Sequence, residues 1–83
     1  MKIREVKYIS DYTIAVTFED GNSGMVNLQD LVEKGIFKIL QDKEKFAKVY
    51  SNGSSIAWSD ELEIDGTNIY LEITGKEPEI RNI

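Results

Sequence analysis

The stretch from Tyr12 to Leu28, YTIAVTFEDGNSGMVNL, limits what this chain can fold into more than any other. Tyr12, Ile14, Val16 and Phe18 alternate with Thr13, Ala15, Thr17 and Glu19. Successive side chains of a strand point to opposite faces, so one face is large and apolar and the other small or polar. That is the pattern of a half-buried strand. Asp20-Gly21-Asn22-Ser23 is a turn cluster, because glycine tolerates positive φ and Asp and Asn bond to nearby backbone. The chain returns through Met25, Val26 and Leu28, with Val26 and Leu28 on the face that meets the first strand's apolar side. Two strands alone are marginal in water, so this hairpin needs a layer packed on its apolar face.

The rest of the chain has to supply that layer. Ile3 to Ile9 reads as a strand ahead of the hairpin, with Val6 and Tyr8 inward, and Ser10-Asp11 as its turn. Three antiparallel strands then form a meander. After Leu28 the period changes to a helical one through Leu31 and Val32, with Asn27 as N-cap. Gly35 ends this helix after about two turns, since glycine readily takes the left-handed conformation there. Ile36, Phe37, Ile39 and Leu40 form a dense apolar knot, expected under the sheet because each is worth about 1.5–3 kcal/mol when buried. Asp42 can cap one more helical turn, Lys43 to Phe46. Asn52-Gly53, between Lys48–Ser51 and Ser55–Trp58, is a strong short hairpin cue. Leu62 and Ile64 then alternate with acids, and Asp65-Gly66 turns the chain again. Residues 67–73 read either as a helical turn capped by Thr67 and carrying Ile69 and Tyr70, or as a strand through Ile69, Leu71 and Ile73.

The expected fold is therefore α+β. It is a small single domain over residues 1–74: an antiparallel β-meander and a second β-hairpin packed with one or two short helices. Residues 75–83, with proline, charges and little pattern, are expected to be a flexible tail. A chain of 83 residues supports one modest core, with roughly 60% of the unfolded surface buried. It leaves room for a homodimer, whose interface would add core.

Composition removes whole classes of chemistry. There is no cysteine, hence no disulfide, thiol nucleophile or thiolate metal site. There is no histidine, the usual base near neutral pH and the commonest metal ligand. Ser54-Ser55 has no base at hand. Glu19-Asp20 and Asp60-Glu61 are neighbouring acids at turns, not carboxylates opposed across a cleft. The spacing Glu61-x-Glu63-x-Asp65-Gly66, with Glu72 beyond, echoes a calcium loop. Its first position is Glu rather than Asp and its flanks are not two helices, so the plain reading is a strand with an acidic outer face. No cofactor, metal or enzymatic role is expected. The N-terminus has no apolar core of a signal peptide and no run is long enough to span a membrane, so a cytoplasmic protein is expected.

Net charge is −5, which argues against direct nucleic-acid binding. The charge is uneven. Lys34, Lys38, Lys43, Lys45 and Lys48 fall together, whereas Asp60, Glu61, Glu63, Asp65, Glu72, Glu77 and Glu79 crowd the last third. The plain reading is solvated faces; the functional one is a bipolar surface that orients a partner. Trp58 and Tyr70 are core volume on the plain reading and interface anchors on the functional one. The candidate partner surface is Lys34, Lys38, Lys43, Lys45, Trp58 and Tyr70.

Laid out in this order, the chain resembles the small bacterial family called domain of unknown function 2442. The resemblance rests on Val6, then Tyr12-x-Ile14-x-Val16-x-Phe18, Asp20-Gly21, Leu28, Leu31 and Gly35-Ile36-Phe37. It continues through Leu40, Asp42, Phe46, Val49, Ile56-x-Trp58 and Ile69-Tyr70, covering about residues 3 to 71. The chain departs from it at Asn27, where Asp is usual, and at Ser59, Glu61 and Glu63, where Pro, Gly and Asp are. The family has no assigned reaction. Its members occur alone or joined to a helix-turn-helix domain, and are encoded beside proteins of the domain of unknown function 4160 family in arrangements like toxin–antitoxin pairs. The resemblance thus implies a non-catalytic protein-interaction module, the antitoxin-like or regulatory half of a two-gene system, with a domain of unknown function 4160 protein as partner. The alternative it implies is an accessory ligand-sensing domain of a transcriptional regulator.

Overall fold

A computed structural model describes residues 2–75. Its first layer is the expected meander: β1 (Ile3–Ser10), β2 (Thr13–Phe18) and β3 (Ser23–Asn27), antiparallel and in that spatial order. Ile14, Val16 and Phe18 are wholly buried. Ile14 pairs with Val26 on β3 and with Tyr8 on β1. Ile3 and Val6 have opposite parity, yet Ile3 is buried and Val6 partly so. A bulge reconciles them: between Ile3 and Val6 the strand carries one residue more than its partner, so the side chains on either side regain the same face.

The region after Leu28 departs from the expected helix. The Asn27 side-chain oxygen accepts from the Gln29 amide at 2.8 Å, closing a tight turn rather than capping a helix. Only one 3-10 turn follows, Leu31–Glu33, and Lys34 is extended. A segment this short cannot offset the cost of nucleating an α-helix. Gly35, at φ +47, opens the next element instead of closing the last one.

That element is a 3-10 helix, Gly35–Gln41. Its three-residue repeat brings side chains at i and i+3 into line. Phe37 and Leu40 therefore share the inward face, Leu40 at 2% exposure and Phe37 packed partly buried against the core. Ile36 and Ile39 share another face and stay 65% and 51% exposed. The expectation that all four lie under the sheet holds for only two of them, because period three allots one apolar pair inward and the other outward. Asp42 then caps α1 (Lys43–Phe46) as expected, accepting from the Glu44 amide at 3.0 Å, and Phe46 is wholly buried.

The second layer is β4 (Tyr50–Ser51), β5 (Ser55–Ser59) and β6 (Leu62–Asp65), again antiparallel and in order. The expected hairpin thus gains a third strand. β1 lies alongside β4, and the Ile3 amide donates to the Gly53 carbonyl at 2.7 Å, so the edges of the two sheets meet there. Residues 66–74 form a helix, α2 (Gly66–Thr74). Its cap is Asp65, which accepts from the Thr67 amide at 2.8 Å, rather than Thr67. A helix suits the site because Ile69 and Ile73, one turn apart, both face the sheets. A strand would have left Tyr70 facing away from them. α2 approaches β3 closely at Gly24, where a β-carbon would lie 2.7 Å from Cγ2 of Ile73. Glycine is therefore needed there for contact distance. The tail expected over residues 75–83 lies outside the described residues except for Gly75, the left-handed C-cap of α2.

Candidate partner-binding surface

Trp58 stands on β5, half-buried, with its ring against Phe46 (centroids 5.5 Å) and Phe37 (6.3 Å). Its indole N–H donates to the Phe46 carbonyl at 2.9 Å. Phe46 also meets Tyr12 at 5.4 Å and Tyr8 at 6.0 Å, both edge-on, the arrangement aromatic quadrupoles prefer. Trp58 thus belongs to an aromatic cluster and has its only polar donor satisfied. Beside the ring, a groove of about 230 Å³ is walled by Ile39, Leu40, Trp58 and Leu62, with Lys45, Lys48 and Ser59 completing it.

The structure separates the five lysines into three kinds. Lys45 and Lys48 line the Trp58 groove. Lys34 and Lys38 flank and sit within the 3-10 helix and are exposed. Lys43 is engaged: its ammonium lies 2.9 Å from the Asp11 carboxylate and 5.8 Å from the centre of the Tyr12 ring. The hydrogen bond from Lys43 to Asp11, and then the Asp11 charge, raise the Lys43 pKa above its ordinary value. Both partners are well exposed, so the pair adds little stability. The other four lysines have no ion pair among the described residues.

Tyr70 lies in the core on α2, edge-on to Phe18 at 5.0 Å, and does not line the groove. Its hydroxyl donates to Asp20 at 2.8 Å and accepts from the Asn22 side chain at 2.9 Å. This ties α2 to the turn between β2 and β3. The Asp20 carboxyl is held below its ordinary pKa, foremost by the Asn22 backbone amide and then by the Tyr70 hydroxyl.

The acids of the calcium-like spacing have separate tasks. Glu63 accepts from the Asn52 side chain at 3.0 Å, and Asp65 caps α2. Among the described residues, no three acidic side chains converge to hold a metal ion. No helix among them is long and apolar enough to cross a membrane.

Sequence reasoning missed two features. One is the exposed pair Ile36 and Ile39, of which Ile39 reaches the Trp58 groove. Reading GIFKIL at period three rather than as a block would have found it. The other is a second groove, of about 250 Å³, between β3, β6, α2 and the loop before the first 3-10 turn, where Asp30 and Glu72 join an apolar lining. Those residues come from two stretches, 26–31 and 64–72, far apart along the chain, and no local pattern joins them.

A family model described as a protein of unknown function (DUF2442) matches residues 3–75. The chain belongs to this family, as its resemblance implies. No curated protein and no solved structure matches it.

Proposed function

We propose that this member of the family of unknown function 2442 is a protein-interaction module, acting without catalysis of its own, and that its working surface is the groove beside Trp58. One observation carries the reading. An apolar floor of Ile39, Leu40, Trp58 and Leu62 adjoins Lys45 and Lys48, neither of which has an ion pair among the described residues. Such a groove suits an apolar side chain flanked by Asp or Glu in a partner protein. The apolar contact supplies affinity, and the lysines steer the approach and fix orientation. Placement in a two-gene system as the antitoxin-like or regulatory half is part of the same proposal. The partner to test first is a protein of the domain of unknown function 4160 family, which the family resemblance implies.

The experiment is co-expression of the two chains, with affinity measured for the wild type and for Lys45→Glu/Lys48→Glu and Ile39→Asp. These positions are exposed, so the variants keep the fold, as a melting curve checks. The expected result is at least tenfold weaker binding by each, which is about 1.4 kcal/mol. The reading is lost if the chains do not associate, or if both variants bind like the wild type.

A further inference from the structure

We propose that the chain binds a second copy of itself, seating the Ile36–Ile39 ridge of one copy in the groove between β3, β6 and α2 of the other. The ridge is two isoleucines in line on the 3-10 helix, 65% and 51% exposed. The helix buries Phe37 and Leu40 and turns its other two large apolar side chains outward. The charged residues of the helix and its N-cap are Lys38 and Lys34, with Glu33 and Asp42 just outside its two ends and Lys45 and Lys48 in the groove that Ile39 reaches. The groove has the opposite character at its mouth. Leu28, Leu31, Ile64 and Ile69 line it, and Asp30 and Glu72 bring the charges. Neither acid has an ion pair among the described residues. An apolar ridge with cationic flanks and an apolar groove with anionic ones complement each other in both terms that decide recognition: apolar area removed from water and sign of charge.

The groove of about 250 Å³ is small, so a single ridge-in-groove contact is a weak one. Two copies related by a two-fold axis make the contact twice, each giving one ridge and one groove, and leave neither unfilled. The net charge of −5 per chain opposes approach at long range. The contact therefore holds as a transient dimer, favoured at high concentration. The groove that receives the ridge shares no residue with the groove beside Trp58, but Ile39 of the ridge lines that second groove too. The charge variants that test the dimer leave Ile39, Lys45 and Lys48 in place, so this proposal and the partner reading fail separately.

Sedimentation velocity from micromolar to millimolar concentration tests it, using three purified proteins: the wild type, Lys34→Glu/Lys38→Glu, and Asp30→Lys/Glu72→Lys. All four positions are exposed. The wild type should shift from monomer to dimer as concentration rises. Each double variant alone should stay monomeric, because like charges then face one another across the contact. An equimolar mixture of the two variants should dimerise again, because an acidic-flanked ridge then meets a basic-rimmed groove, and the converse. A wild type that is monomeric throughout overturns the proposal. So does a dimer that survives in either double variant, or a mixture that fails to associate.

Discussion

At the scale of single residues, the polar side chains of this protein mostly organise backbone. Asn27, Asp42, Asn52 and Asp65 each accept a nearby amide. Asp20 does this and more, since its carboxylate also takes the Tyr70 hydroxyl from α2. Its folded pKa lies below the ordinary 3.8, whereas the unfolded chain keeps the ordinary value. The stabilisation is therefore present above that pH and is lost as pH falls through the lower, folded value. Asp20→Asn lacks this dependence. Thermal melts of wild type and Asp20→Asn should differ by a constant gap from neutral pH down to about pH 5, and the gap should narrow progressively below it. A gap that persists into strong acid would remove Asp20 from the account. The same network in Tyr70→Phe should show a smaller gap. Asp20-Gly21 was legible from sequence as a turn; its partner Tyr70 was not, because the two are 50 residues apart.

At the scale of elements, period decides what each segment buries. Period two in β2 placed three side chains in the core with no exposure at all. The segment Gly35–Gln41 obeys period three, which neither a strand nor an α-helix template anticipates. The contrast is measurable by urea unfolding. Leu40→Ala should cost about 2–5 kcal/mol, the range for emptying a packed site, and Phe37→Ala, at a partly buried position, less than that but clearly more than the outer pair. Ile36→Ala and Ile39→Ala, on the outer face, should stay within about 0.5 kcal/mol. Equal losses at all four positions would show the knot to be buried as a block. The helix α2 presents the complementary case. Sequence left it open between helix and strand, because Ile69, Tyr70, Leu71 and Ile73 satisfy fragments of both periods. Closure came from Asp65 at one end, Gly75 at the other, and the space opposite Gly24 for Ile73.

At the scale of the whole molecule, Phe46 is the joint. It touches Tyr8 on β1, Tyr12 in the turn before β2, and Trp58 on β5, and so links the two sheets. A domain of this size is stable by about 5 kcal/mol, and emptying a buried phenylalanine site costs about 3–5 kcal/mol. Phe46→Ala should therefore be largely unfolded at room temperature, seen as lost cooperative melting and red-shifted Trp58 emission. A variant that still melts cooperatively near the wild-type temperature would show that the sheets hold together without this joint. Trp58 is the chain's one tryptophan, so its emission also reports on occupancy of the groove beside it.

Sequence by itself determined what depends on neighbours along the chain: the meander and its turns, the Asn52-Gly53 hairpin, the cap at Asp42, the α+β class and the family. Alternation, turn chemistry and capping are set by residues a few positions apart, so they survive without knowledge of the rest. Only the tertiary structure decided which half of the Ile36–Leu40 run faces water, that β6 completes a second sheet, and that residues 66–74 are helical. It alone brought Lys45, Lys48 and Trp58 to one groove and Asp30 and Glu72 to another, and parted Tyr70 from both. Those outcomes turn on which distant segments supply the opposing surface, and burial is a property of that pairing.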